Sequence, residues 1–336
     1  MSANSFSSAL VLVSLLVGGV AVAQQQQSPA ADQRLLILSK NEQFLSIVDP
    51  ATLKILGQVA TGPDPHEVVA SDDGRRAYVS NYGGGAYNTL TIIDLVNRKS
   101  LGTVDLGALR GPHGLHFVGG KVWFTAEAAK AVGSYDPATS KIDLVLGTGQ
   151  DGTHMIYAFP DASRLVTTNV GSGTVTIFEK RAGPRPNWSA TTLPAGPRVE
   201  GFDVSPDGKT VWAANAGDGT ITTIDLGAMT AANFSANVRG ANRLKFTPDG
   251  KLVLISSLAS PDLTIIRVQD KTEVKRIPVG KGSAGIEIQP DGARAYVACS
   301  PDNYVAVVDL KSMQVVGRID AGTNPDGLAW AAVPRR

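Results

Sequence analysis

The chain has 336 residues, of which 43% are hydrophobic and only 18% charged, with a formal net charge of +1. It is long enough for one large all-β domain or two small ones. The near-zero charge provides no field to draw in nucleic acid or an anionic membrane. A single cysteine, Cys299, excludes an intrachain disulfide framework.

The first 23 residues read as a signal peptide. Ala9 to Val20 is apolar apart from Ser14, Ala21-Val22-Ala23 is a small-residue cleavage site, and Gln24 to Gln27 is polar. No Lys or Arg precedes the apolar run, which departs from the usual pattern. A transmembrane anchor is the alternative, but the run is short for a span. The expectation is a periplasmic or secreted protein cleaved near Ala23, with residues 24–33 disordered and no stable membrane insertion. Leu35-Leu36-Ile37-Leu38 then begins a folded region expected over 34–333.

Along that region a unit repeats. Ser71-Asp72-Asp73-Gly74, Ser205-Pro206-Asp207-Gly208, Thr247-Pro248-Asp249-Gly250 and Gln289-Pro290-Asp291-Gly292 are tight turns, since Pro presets φ and Gly accepts positive φ. Short β-rich runs follow, as in Ala77 to Asn81, Val211 to Asn215 and Ala295 to Cys299. A next run ends in an acid (Asp94, Asp225, Asp309), and a last one closes on Gly (Gly107, Gly322). Each unit therefore holds four short strands. Unit entries align at His66, His113, His154, Glu200, Arg243, Gly285 and Asp326, between 41 and 47 residues apart. That period defines an all-β, seven-bladed β-propeller of four-stranded antiparallel blades. The strand lacking at the N-terminus reappears as Asp326 to Trp330, so N- and C-terminal strands are expected to pair and close the ring.

Tyr78-Val79-Ser80-Asn81, echoed at Thr167-Thr168-Asn169 and Ala213-Ala214-Asn215, resembles the YVTN-type β-propeller repeat family over about residues 34–333. The resemblance implies the fold and little about activity. The repeated Asn residues are expected to bond turn backbone.

Propeller sites commonly lie at the channel mouth, where the unit entries converge. Of four His in the chain, His66, His113 and His154 fall at equivalent entries, followed by Glu200 and Arg243. His66, His113, His154 and Glu200 are a competent donor set for a divalent transition metal such as Zn, Cu, Ni or Fe. The plainer reading is a ring of solvated polar channel residues. Without a metal, His113 or His154 serves as base, with Glu200 and Arg243 in support. His116, three residues beyond His113, is expected to pack between blades. Glu67 is expected to face either way. Glu127 lies in a turn from which it reaches the mouth or solvent. Arg198 and Arg243 either clamp an anionic substrate or pair with Glu200 and Asp326.

Pro65-His66 with Asn81-Tyr82-Gly83-Gly84-Gly85 is similar to a stretch of lactonase-type seven-bladed propellers, and implies channel chemistry by His, Glu and Arg. Pro112-His113-Gly114 with Trp123-Phe124-Thr125 resembles streptogramin-lyase-type propellers, which are metal-dependent. The basic, Pro-rich stretch Glu179 to Trp188 is read as a hairpin at a blade rim rather than a nucleic-acid site. Cys299, in the place of a repeat Asn, is expected to be buried and inert. Two functions stand side by side: a hydrolase or lyase acting on a small molecule at the mouth, or a non-catalytic envelope scaffold that contacts another protein. In either case the chain is expected to be a monomer.

Overall fold

The computed structural model describes Met1 and residues 31–183 and 187–335. The expected leader and most of the 24–33 segment lie outside the described residues. Strand begins at Ala31, three residues ahead of the expected boundary.

Seven sheets of four antiparallel strands form the ring. Six blades are built from consecutive strands. The first combines Ala31–Ser39, Phe44–Asp49 and Lys54–Ala60 with the C-terminal strand Pro325–Pro334 as its innermost member. We number this closing blade 1 and the rest in chain order. The seven innermost strands are Pro325–Pro334, Pro65–Ala70, Pro112–Val118, Thr153–Ala158, Val199–Val204, Ala241–Phe246 and Ser283–Ile288.

The run Leu35 to Leu38 shows why apolar alternation fails in the middle of a blade. Leu36 and Leu38 pack with Leu45, Val68 and Val79 against blade 2. Leu35 and Ile37 pack with Tyr296, Val305 and Val307 against blade 7. Both faces are buried, so the strand is apolar throughout. Outer strands, by contrast, read as alternating exposed and half-buried positions, as in Lys141–Gly147.

The Pro-Asp-Gly turns join first to second strands. At Ser205, the hydroxyl donates to Asp207 Oδ1 at 2.6 Å, the Gly208 N–H donates to Ser205 O at 2.8 Å, and Gly208 has φ of 70°. At Gly74 the glycine has a second reason: a Cβ would sit 1.7 Å from Ala332 O of the neighbouring blade.

The repeated Asn residues do not chiefly bond turn backbone. Nδ2 of Asn215 donates to Thr220 Oγ1 and Thr222 Oγ1, both at 2.9 Å. Asn81 meets Thr89 and Thr91, and Asn169 meets Thr174 and Thr176, in the same way. The amide ties the end of the second strand to the third through a Thr-x-Thr pair, whose hydroxyls share one strand face. Cys299 occupies this place in blade 7. It is buried, and burial pushes its thiol up to about 11, which leaves it inert as expected. The stretch Glu179 to Trp188 forms the ends of the paired outer strands Thr174–Arg181 and Asn187–Pro194, with 184–186 outside the described residues.

Candidate functional site at the channel mouth

In every blade the first residue of the inner strand pairs with the last residue of the second strand, and the register then shifts before the fourth. The second residue is the one presented at the mouth. Six of the seven inner strands thus offer His66, His113, His154, Glu200, Asn242 and Ala284, and the closing strand offers Asp326. The expected ring is correct at five positions and one residue late at two. Arg243 and Gly285 are third residues, not second. Gly285 is structural: a Cβ there would lie 2.1 Å from Asp326 O in the next inner strand.

The mouth encloses about 260 Å³, lined by Lys40, His66, His113, His154, Glu200, Asn242, Arg243 and Asp326, with Leu258, Ala284, Ser300 and Asn324 at its edge. Its centre is a stack of three imidazoles. His113 lies between His66 at 4.5 Å and His154 at 3.8 Å, measured between ring centroids. The outer two rings have carboxylate partners. His66 Nε2 is 3.5 Å from Asp326 Oδ2 and its Nδ1 is 3.8 Å from Asp64. His154 Nε2 is 3.1 Å from Glu200 Oε2 and its Nδ1 is 3.8 Å from Glu127 Oε1. The middle ring has none, and its Nδ1 is buried without a partner.

This arrangement drives the rings apart in basicity. Burial disfavours the imidazolium of His113, the neighbouring His154 and His66 add to it, and its pKa falls well below 6.5. Burial also opposes charge on His154, but Glu127 and Glu200 outweigh it and hold that pKa above 6.5. Burial raises Glu200, yet His154, Arg243 and Arg198 bring it below its ordinary value; Glu127 follows the same logic through His154 and Tyr82. Asp326 is likewise held down against burial by His66, Lys40 and Arg243. The mouth thus sets an imidazole biased toward its neutral form against one that two carboxylates bias toward its charged form.

Arg243 forms the floor. Its Nη2 donates to Glu67 Oε1 at 2.5 Å, while its Nη1 is buried without a partner. It pairs with neither Glu200 nor Asp326. Arg198 does reach Glu200, at 3.5 Å, but its side chain is 68% exposed. Glu127 reaches the mouth rather than solvent, and Glu67 faces the channel.

A second ring was only partly read from the sequence, where Glu127 was placed at the mouth or in solvent and Lys40 and Tyr82 were not singled out as site residues. The residue after each second strand rises to the mouth, and on the imidazole side these are Lys40, Tyr82 and Glu127. Lys40 donates to Asp326 Oδ2 at 3.1 Å and lies 3.3 Å from His66 Nε2. Tyr82 packs its ring 4.9 Å from His66 and 5.0 Å from His113. The signal was present in the repeat itself, one residue past the Asn of Tyr-Val-Ser-Asn.

His66, His113, His154 and Glu200 come together, but they suit a metal poorly. A tetrahedral site needs lone pairs converging at about 2.0–2.1 Å, whereas Nε2 of His66 lies by Asp326 and Nε2 of His154 by Glu200 on either side of the tilted His113 ring. Among the described residues no group of three or more His, Cys, Asp or Glu is arranged to hold a metal ion.

The site sits in a known class of propeller. The family model for lactonase, 7-bladed beta-propeller, matches residues 42–315, and the chain belongs to that family. The lactonase-type resemblance is thereby borne out. Among solved structures, a protein of unknown function from Desulfotomaculum acetoxidans superposes with a TM-score of 0.74 at 15% identity, over 89% of this chain and 99% of its own. A provisional 6-phosphogluconolactonase from Bacteroides fragilis gives 0.71 at 16% identity, over 91% and 100%. Hydrazine synthase from Kuenenia stuttgartiensis gives 0.71 at 19% identity, over 87% and 99%. At these identities the likeness is one of fold. No curated protein matches significantly.

Proposed function

We propose that the mouth hydrolyses a small lactone. The observation that carries this reading is the His113–His154 pair, two rings 3.8 Å apart whose surroundings push one toward neutrality and the other toward charge. Neighbouring groups with separated pKa values are the usual mark of an assigned base and acid.

In this reading a lactone carbonyl enters the mouth and a water lies against His113. The neutral imidazole takes a proton from the water as its oxygen forms a bond to the carbonyl carbon. Negative charge gathers on the carbonyl oxygen, facing the His154 imidazolium and the unpartnered Nη1 of Arg243. Glu200 and Glu127 keep His154 protonated. Collapse restores the carbonyl, breaks the ring C–O bond, and returns the proton from His113 to the departing alkoxide. One water is consumed and one hydroxy acid is formed. Lys40 beside Asp326, and Arg198 at the rim, favour a substrate with an anionic tail.

The test is turnover of 6-phosphogluconolactone and of its unphosphorylated counterpart, with wild type beside His113→Asn and His154→Gln. Hydrolysis that falls by about 10²–10⁴-fold in each variant supports the assignment. Hydrolysis that survives both variants places the chemistry elsewhere. No turnover of any lactone tried favours a binding role for the mouth.

A further inference from the structure

Further along the same inner strands lies a second chamber of about 260 Å³. Arg243 lines both chambers, and its ion pair with Glu67 across the channel lies between them. The lower walls come from the fifth residues of the inner strands, among them His116, Asp203, Lys245 and Glu287. His116 was expected to pack between blades. It does pack on the next blade, stacked on Tyr157 at 4.7 Å with its Nδ1 accepting from Ala158 N at 3.0 Å, and its ring also lines the chamber.

Of the titratable groups here, two are unengaged. Asp203 accepts the backbone N–H groups of Val204 and Phe246. Lys245 and Glu287, from blades 6 and 7, have no hydrogen bond, and no ion pair within 4.0 Å, among the described residues. Both line the chamber and are partly buried. Burial pushes the Glu287 carboxyl up to about 7, and Asp203 holds Lys245 above its ordinary value. A partly buried ammonium and a partly buried carboxyl that face one cavity, neither hydrogen-bonded within the protein, are groups that one small molecule in that cavity can meet together. Apolar and aromatic side chains from blades 4, 5 and 1, among them Met155, Tyr157, Phe202, Leu328 and Trp330, complete the lining.

We propose that this lower chamber is a binding site for a small zwitterion of the α-amino-acid type, its carboxylate on Lys245, its ammonium on Glu287, and its side chain among the apolar lining residues. A lone carboxylate would satisfy only Lys245, and a lone amine only Glu287. A zwitterion adds no net charge to the chamber. The ammonium ionises Glu287 as it binds, which removes the reason for that group to stay protonated.

The experiment is titration calorimetry of the full chain with glycine, L-leucine and L-phenylalanine, and with 4-methylpentanoate and 3-methylbutylamine as the acid-only and amine-only halves of leucine. At least one amino acid should bind at a single site. Each half-molecule should bind at least about tenfold more weakly than leucine, and Lys245→Met and Glu287→Gln should each weaken the amino acid at least about tenfold. His113→Asn, at the mouth, should not. No heat from any amino acid to about 10 mM, equal binding of either half-molecule, or full binding by both lower-chamber variants overturns the proposal. Lactone turnover is not a readout here, so the mouth reading stands or falls separately.

Discussion

Replacing Glu287 by Gln should change how stability responds to pH. Its carboxyl sits at about 7 instead of 4.5, first because burial disfavours the anion and then because Asp203 is near, with Lys245 opposing. The folded state therefore binds this proton about 3 kcal/mol more tightly than the unfolded chain does. Between pH 7 and 4.5 the folded state holds the extra proton, so acidification stabilises it, and above 7 the buried anion costs it. His116 runs the other way. Burial takes it from 6.5 to about 4, so acidification through 6.5 protonates only the unfolded chain and removes about 3 kcal/mol. In wild type the two contributions nearly cancel. The assay is the urea midpoint and slope at steps from about pH 8 to about pH 4.5. The stability of Glu287→Gln relative to wild type should be about 3 kcal/mol greater at the alkaline end than at the acid end. His116→Asn, which keeps an acceptor for Ala158 N, should gain by a similar amount at the acid end. A pH-independent difference for both variants would refute the chamber electrostatics.

Three further outcomes follow from the geometry. Asn215→Ala removes bonds to Thr220 and Thr222 and one from Gly196 N, all 2.9–3.1 Å, the last two buried and the first partly so; it should cost about 2–3 kcal/mol in chemical denaturation. Truncation after Asn324 removes the strand that pairs with Ala31–Ser39 and buries Leu328, Ala329, Ala331 and Val333; the soluble, folded fraction should vanish in size-exclusion and circular dichroism measurements, rather than one blade being lost. Glu127→Gln removes a carboxylate that sustains the His154 imidazolium; the pKa of His154, followed by NMR, should fall toward 6.5 while the fold is kept.

The blade count was legible because the turn signature recurs in four units and the four-strand period in all of them, and each copy checks the others. The mouth was legible on the imidazole side for the same reason: His66, His113, His154 and Glu200 follow a first residue whose pairing never varies. Blades 6 and 7 were misaligned by one because Arg243 and Gly285 look more eventful than Asn242 and Ala284, and only the register separates second from third positions. With the corrected residues the last three steps of the ring are each 42 residues. His116 packs against blade 4 as expected, but its place on a chamber wall was not legible, because strand alternation assumes an unbroken ladder and every inner strand breaks it. Lys40, Tyr82 and Glu127 were not assembled because they end a different strand from the His residues. The opposite protonation of His113 and His154 depends on which ring carboxylates flank, and no spacing in the sequence encodes that.

The central claim is that a neutral His113 and a charged His154 work together on a lactone. The pH dependence of kcat/KM for lactone opening by wild type tests it most directly. A bell is expected. Its acid limb should lie below 6.5, where His113 begins to take a proton, and its alkaline limb above 6.5, where His154 loses one. A single limb centred near 6.5, or a rate indifferent to pH across that range, would contradict the account.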